Sequence, residues 1–142
     1  MLLLIGRHSY TIDPKGRLNI PPKFRSDLGD SFLVTYSERE PCLLIYSLTE
    51  WAVLKENIKL LSPDDAREFR RNVYGNAEEV EIDKQGRILV PINARKHAGL
   101  DRDVLIVGTD NRAEIWDKDK WEEYLNAVEK DKLFNTMNKL GF

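Results

Sequence analysis

Two histidines, one cysteine and a net charge of −2 leave this chain of 142 residues few routes to chemistry. A single Cys, Cys42, cannot form an internal disulfide, and it opens an apolar stretch where a buried structural thiol is the expected role. His8 and His97 stand near no Cys or carboxylate at ligand spacing, so no metal site is expected. Gly-x-Ser-x-Gly, P-loop and His-Glu-x-x-His patterns are missing. Neither an enzyme nor a cofactor or small-molecule substrate is expected. No apolar run approaches the roughly 20 residues that a membrane helix needs. "MLLLIG" lacks a basic flank and a cleavage site, so a cytoplasmic, non-membrane protein is expected. A pI near 5.8 argues against a uniformly basic nucleic-acid binder.

The charge is unevenly spread. Residues 1–29 carry five basic and two acidic side chains, a net of +3. Residues 101–142 carry seven basic and ten acidic ones, a net of −3. One end can attract phosphate while the other repels it.

The chain also repeats itself. "IDPKGRLNIP" (12–21) returns as "IDKQGRILVP" (82–91), an offset of 70. The same offset pairs Asp13 with Asp83, Gly16 with Gly86, Arg17 with Arg87, Arg25 with Arg95, Gly29 with Gly99, Ile45 with Ile115 and Trp51 with Trp121. Two copies of one unit follow, 7–54 and 77–124, with a helical connector over 55–76 and a C-terminal helical tail over 125–142.

Each copy reads as strand, turn, strand, short helix, two strands and a helix. "DPKG" and "DKQG" are turns, in which Asp caps backbone N–H groups and Gly accepts a positive φ. Pro21 and Pro91 end the second strands because Pro has no N–H to pair. Ser47, Ser62 and Asp117 are expected helix N-caps. A unit of under 50 residues holds little core alone. The expected architecture is therefore α+β: two repeats packed as a pseudo-two-fold small β barrel flanked by helices. Trp51 and Trp121 are expected to pack between the repeats. "REFRR" (67–71) is expected to be a solvated helix face.

The repeated Arg residues carry the sharpest signal. Arg17 and Arg87 each follow a turn Gly and open a strand. A guanidinium at a hairpin mouth can bind phosphate or guanine bidentately, or it can staple the turn to Asp.

These stretches resemble the SpoVT/AbrB-like Asp-x-x-x-Arg signature. With "PCLLIYSLTEW" (41–51), "RKHAGL" (95–100) and "EIWDKDKW" (114–121), the chain is similar to the MraZ family, whose members carry two such domains. The resemblance implies a sequence-specific, nucleoid-associated transcriptional regulator. It implies binding to repeated boxes in the promoter of the division and cell-wall gene cluster, and assembly into homo-oligomeric rings. It places Arg17 and Arg87 against DNA, with Asp13, Gly16, Asp83 and Gly86 organising the turns. Arg7, Lys15, Lys23 and Arg25 are expected to complete a basic rim. Two alternatives make different demands on the same residues. An assembly scaffold would bury the turns, and a hydrolase would set Asp13 and Asp83 face to face across a cleft.

Overall fold

The computed structural model describes residues 2–142. Repeat one supplies β1 (Leu4–Thr11), β2 (Arg17–Asn19), α1 (Pro22–Leu28), β3 (Ser31–Tyr36), β4 (Cys42–Ser47) and α2 (Leu48–Ile58). After α3 (Pro63–Asn72) and a short 3-10 turn (Tyr74–Asn76), repeat two supplies β5 (Glu78–Glu81), β6 (Arg87–Leu89), α4 (Ile92–Ala98), β7 (Asp103–Asp110), β8 (Ala113–Asp117) and α5 (Lys118–Ala127). The chain closes with α6 (Lys130–Lys139).

The strands are exchanged between the repeats. A six-stranded antiparallel sheet runs β1-β7-β8-β4-β3-β5, and β2 pairs with β6 in a separate ribbon. The first strand of each repeat thus lies against the third strand of the other. Leu18 opposite Ile88, and Leu44 opposite Glu114, lie where a pseudo-dyad crosses the two pairings between equivalent strands, β2–β6 and β4–β8. Leu18 and Ile88 of the ribbon, with Ile20 and Val90 just past its strands, join Phe24, Phe32, Val34, Ile45, Val104, Ile106 and Ile115 in one buried core. The α+β class and the two-fold relation are those expected from the repeat. The barrel is an open one: among the described residues the main sheet ends at β1 and β5, and the ribbon covers the gap. Pro21 and Pro91 stop its strands after three residues, too soon for a continuous ladder.

Locally most signals hold. Ser47 Oγ accepts from Glu50 N at 3.1 Å and Ser62 Oγ from Asp65 N at 3.2 Å, each capping a helix. Asp117 corrects the expectation. It makes no side-chain cap to α5, and its Oδ1 instead accepts from Asp101 N at 3.3 Å. The carboxylate caps a backbone N–H of the turn before β7 and not one of its own helix. The repeat register also shifts once. Phe32 faces Ser47 while Val104 faces Asp117, so β7 is offset from β3 by 72 residues although β8 is offset from β4 by 70. A shorter β7–β8 connection absorbs the two residues.

The matched tryptophans part company. Trp121 is buried against Trp116, Cys42, Leu44 and Val107 on the outer face of the sheet, and so packs between repeats as expected. Trp51 is only half-buried, between Tyr46 and Tyr74, with ring centroids at 5.4 and 4.7 Å. The reason lies in the neighbouring strand. Where Trp121 meets Cys42 and Leu44, the equivalent positions near Trp51 hold Arg112 and Glu114. The repeat-one side becomes a groove of about 940 Å³ with Leu44, Tyr46 and Leu54 in its wall, roofed by α3. Burial pushes the Cys42 thiol up to about 12, so it is protonated at neutral pH and no nucleophile.

A shared core predicts shared unfolding. Leu18→Ala or Ile88→Ala is expected to cost roughly 2–5 kcal/mol. Urea melts of either variant should show a single transition followed identically by Trp fluorescence and far-UV circular dichroism. Two separable transitions would mean that the repeats fold independently.

Candidate nucleic-acid interface

Each Asp-x-x-x-Arg loop is a closed hydrogen-bonded unit. Asp13 Oδ1 accepts from Lys15 N at 3.0 Å and Arg17 N at 2.9 Å, while its Oδ2 holds Arg17 Nε at 2.5 Å. Gly16 N donates to Asp13 O at 2.9 Å and Asp13 N to Arg17 O at 3.1 Å. The second loop repeats the pattern. Asp83 Oδ1 accepts from Gln85 N and Arg87 N, both at 2.9 Å, and Oδ2 holds Arg87 Nε at 3.2 Å. These N–H donors, led by the backbone of Arg17 and Arg87, hold both carboxyls below the usual carboxylate range.

The geometry leaves each guanidinium half-committed. Nε is tied to Asp, and among the described residues the terminal nitrogens form no bond in either loop. A fork fixed at its base presents two outward donors without first having to be ordered. The ribbon also brings the forks together. Leu18 and Ile88 point into the core, so Arg17, Asn19, Arg87 and Leu89 all face outward. Arg17 lies opposite Leu89 and Arg87 opposite Asn19. The two Arg are therefore diagonal neighbours, roughly 7–8 Å apart. Lys15, Lys84 and Gln85 stand exposed in the adjoining turns.

Arg25 serves the site differently from the other basic residues. Its Nε donates to Ile20 O at 2.9 Å, and its guanidinium lies against Gly86 of the opposite loop, where any Cβ would collide with it. Arg95 mirrors it: Nε donates to Val90 O at 3.2 Å, and a Cβ on Gly16 would lie 2.8 Å from its guanidinium. Gly16 N–H and carbonyl are both used, the carbonyl accepting from Val90 N at 2.8 Å; Gly86 O likewise accepts from Ile20 N at 3.0 Å. The two glycines thus answer two demands at once, a φ near +89° and +78° and room for an Arg from the other repeat. The offset of 70 marks Arg95 as the partner of Arg25, but its brace role is visible only when the strands are crossed.

Lys23 is exposed on α1. Arg7 lies apart from the loops on the outer face of β1, its guanidinium 5.0 Å from the Trp121 ring centroid. Asp13 and Asp83 are each bound to their own Arg and do not form the facing carboxylate pair of a hydrolase. His8 sits edge-on to Phe24, and His97 stacks on Tyr36 with Nε2 at 2.8 Å from Ser37 O. Among the described residues no cluster of three or more His, Cys, Asp or Glu could hold a metal ion. On α3, Arg67 pairs with Asp64 and Arg71 with Glu68 along a solvated face. No helix among the described residues is long and apolar enough to cross a membrane.

A family model described as "MraZ protein, putative antitoxin-like" matches the chain twice, over residues 3–72 and 73–140. The chain is 48% identical over 129 residues to the transcriptional regulator MraZ of Thermoanaerobacter pseudethanolicus, covering 89% of this chain and 90% of that protein. It is 41% identical over 143 residues to the protein of the same name from Alkaliphilus metalliredigens, covering 98% and 99%. The protein of that name from Clostridium tetani is 41% identical over 142 residues, with the same coverage. The chain belongs to the MraZ family.

Two predictions follow from the loop geometry. Because the folded carboxyls of Asp13 and Asp83 titrate below their unfolded value of ~3.9, their contribution is complete above that pH and lost as pH falls through the lower folded value. The Arg17 and Arg87 amide resonances should stay fixed from neutral pH to about 4 and shift below it; in Asp83→Asn the Arg87 shift should vanish. The braces predict crossed effects in the free protein: Arg25→Ala should move the Gly86 amide resonance, and Arg95→Ala that of Gly16. Perturbation confined to the mutated repeat would refute the crossing.

Proposed function

We infer that this member of the MraZ family is a transcriptional regulator, and we propose that it works by binding double-stranded promoter DNA through its two Asp-x-x-x-Arg loops. The observation that carries this reading is the pair of Asp-anchored guanidinium forks on one face of an antiparallel ribbon. A two-stranded ribbon is narrow enough for the major groove, and an Arg fork suits guanine or phosphate. Lys15, Lys84 and Lys23 suit phosphate contacts that set position and carry no sequence information. The net charge of −2 is no obstacle, because only the ribbon side needs a positive field.

On this reading the units 7–54 and 77–124 act as one DNA-facing module. The protein is cytoplasmic and nucleoid-associated, and it acts at repeated boxes in the promoter of the division and cell-wall gene cluster. One ribbon offers a small contact. Several copies in a ring would convert weak contacts with repeated boxes into avid binding. Support for self-association comes from α6, which has no buried residue and exposes Leu133 and Phe134, with Leu140 exposed just past its end.

Fluorescence anisotropy on duplex DNA from upstream of the protein's own gene tests the first claim. Arg17→Ala or Arg87→Ala should weaken binding at least tenfold and reduce the slope of log K against log salt by about one. Indifference to both substitutions would return the Arg residues to turn-stapling alone. Sedimentation velocity tests the second claim. Removal of residues 130–142 should convert the oligomer to smaller species, and an unchanged assembly would place the subunit contact elsewhere.

A further inference from the structure

The outward face of the β2–β6 ribbon holds four side chains, and two of them have no part in the loops. We propose that Asn19 and Leu89 read base edges, and that the difference between them gives the protein a direction on its DNA. This rests on the ribbon being the DNA-binding face.

The argument begins with symmetry. The pseudo-dyad through Leu18 and Ile88 exchanges Arg17 with Arg87 and Asn19 with Leu89. The Arg pair is chemically identical under that exchange, and so are their Asp anchors. Asn19 and Leu89 are not, so one of the two symmetry-related pairs on the four-residue face breaks the two-fold. A fully two-fold face would bind a palindromic site equally in both directions. This one would not.

The chemistry of the two residues sharpens the point. Asn carries an acceptor and two donors on one planar amide, the complement of the adenine N6/N7 edge. Leu has no polar atom and can be satisfied in the groove only by an apolar group, chiefly the thymine methyl. Leu89 is 59% exposed on a three-residue strand whose other outward member is Arg87. A lone exposed Leu is ordinary on a protein surface. This one lies directly opposite Arg17 in the strand register, beside a fork with free donors. Asn19 lies directly opposite Arg87. Each base-reading side chain therefore has an Arg of the other repeat at its flank. The Arg residues would anchor the ribbon, and the unlike pair would choose the sequence and its orientation.

Selection from a random-sequence duplex pool, using the full chain, tests this. The variants are Asn19→Leu and Leu89→Asn, each of which makes the face two-fold. The wild-type chain should select an asymmetric box, and both variants should select palindromic ones. On the wild-type box, changing the base pair that Asn19 reads should weaken wild-type binding about 5- to 150-fold and leave Asn19→Leu nearly indifferent. The salt slope should be the same in all three proteins, because no phosphate contact is altered. Both substitutions lie on an exposed face, and unchanged thermal melts would confirm intact folding. A palindromic wild-type box, or the same box selected by all three proteins, would overturn the proposal while leaving DNA recognition standing. No enriched sequence, together with indifference to Arg17→Ala, would overturn the underlying DNA reading as well.

Discussion

Everything in this molecule hangs on the pairing of Leu18 with Ile88 across the pseudo-dyad. Neither repeat has the size to bury a core of its own. Exchange of strands solves this: β1 completes the half-sheet of repeat two, β5 completes that of repeat one, and the β2–β6 ribbon closes the apolar space between them. The hydrophobic gain is collected only when both copies are in place. That joins the two repeats through one core, and it sets the two Asp-x-x-x-Arg loops on one ribbon.

The loops show how a mildly acidic protein can present basic groups. Each Asp uses both carboxylate oxygens, one on backbone N–H groups and one on Arg Nε. An exposed ion pair of this kind contributes little to stability. Its effect is on order: the turn is held, and the Arg keeps its outward donors with less conformational freedom left to lose on contact. The crossed Arg25 and Arg95 braces extend this across the dyad, because each loop rests on a helix of the other repeat.

Departures from symmetry are as informative as the symmetry. The outer face of repeat two is sealed by Trp116, Trp121, Cys42 and Leu44, with Arg7 laid over Trp121. On the repeat-one side the equivalents of Cys42 and Leu44 are Arg112 and Glu114, which cannot be sealed in the same way. Arg112 instead donates to Tyr46 Oη at 2.8 Å, and α3 returns over the groove, tied down by Thr35 Oγ1 donating to Val73 O at 2.7 Å. The chain between the repeats is therefore part of the packing, and the tail helix α6 has no counterpart surface of its own.

Much of this was legible from residue order alone. The offset of 70, the turn Asp and Gly, the prolines that end β2 and β6, and the capping serines are local signals with local causes, and each appears where its chemistry requires. The candidate Arg17 and Arg87 were legible for the same reason, since Asp, Gly and Arg within five residues make a self-contained loop. Other features were out of reach. Arg25 faces Gly86 and not its own loop, Asp117 leaves its helix for Asp101, Trp51 and Trp121 differ in burial, and Asn19 and Leu89 meet Arg of the opposite repeat. All of these depend on which strand lies beside which. That choice is made by the collective burial of a core assembled from both copies, a long-range free energy that no short stretch of sequence contains.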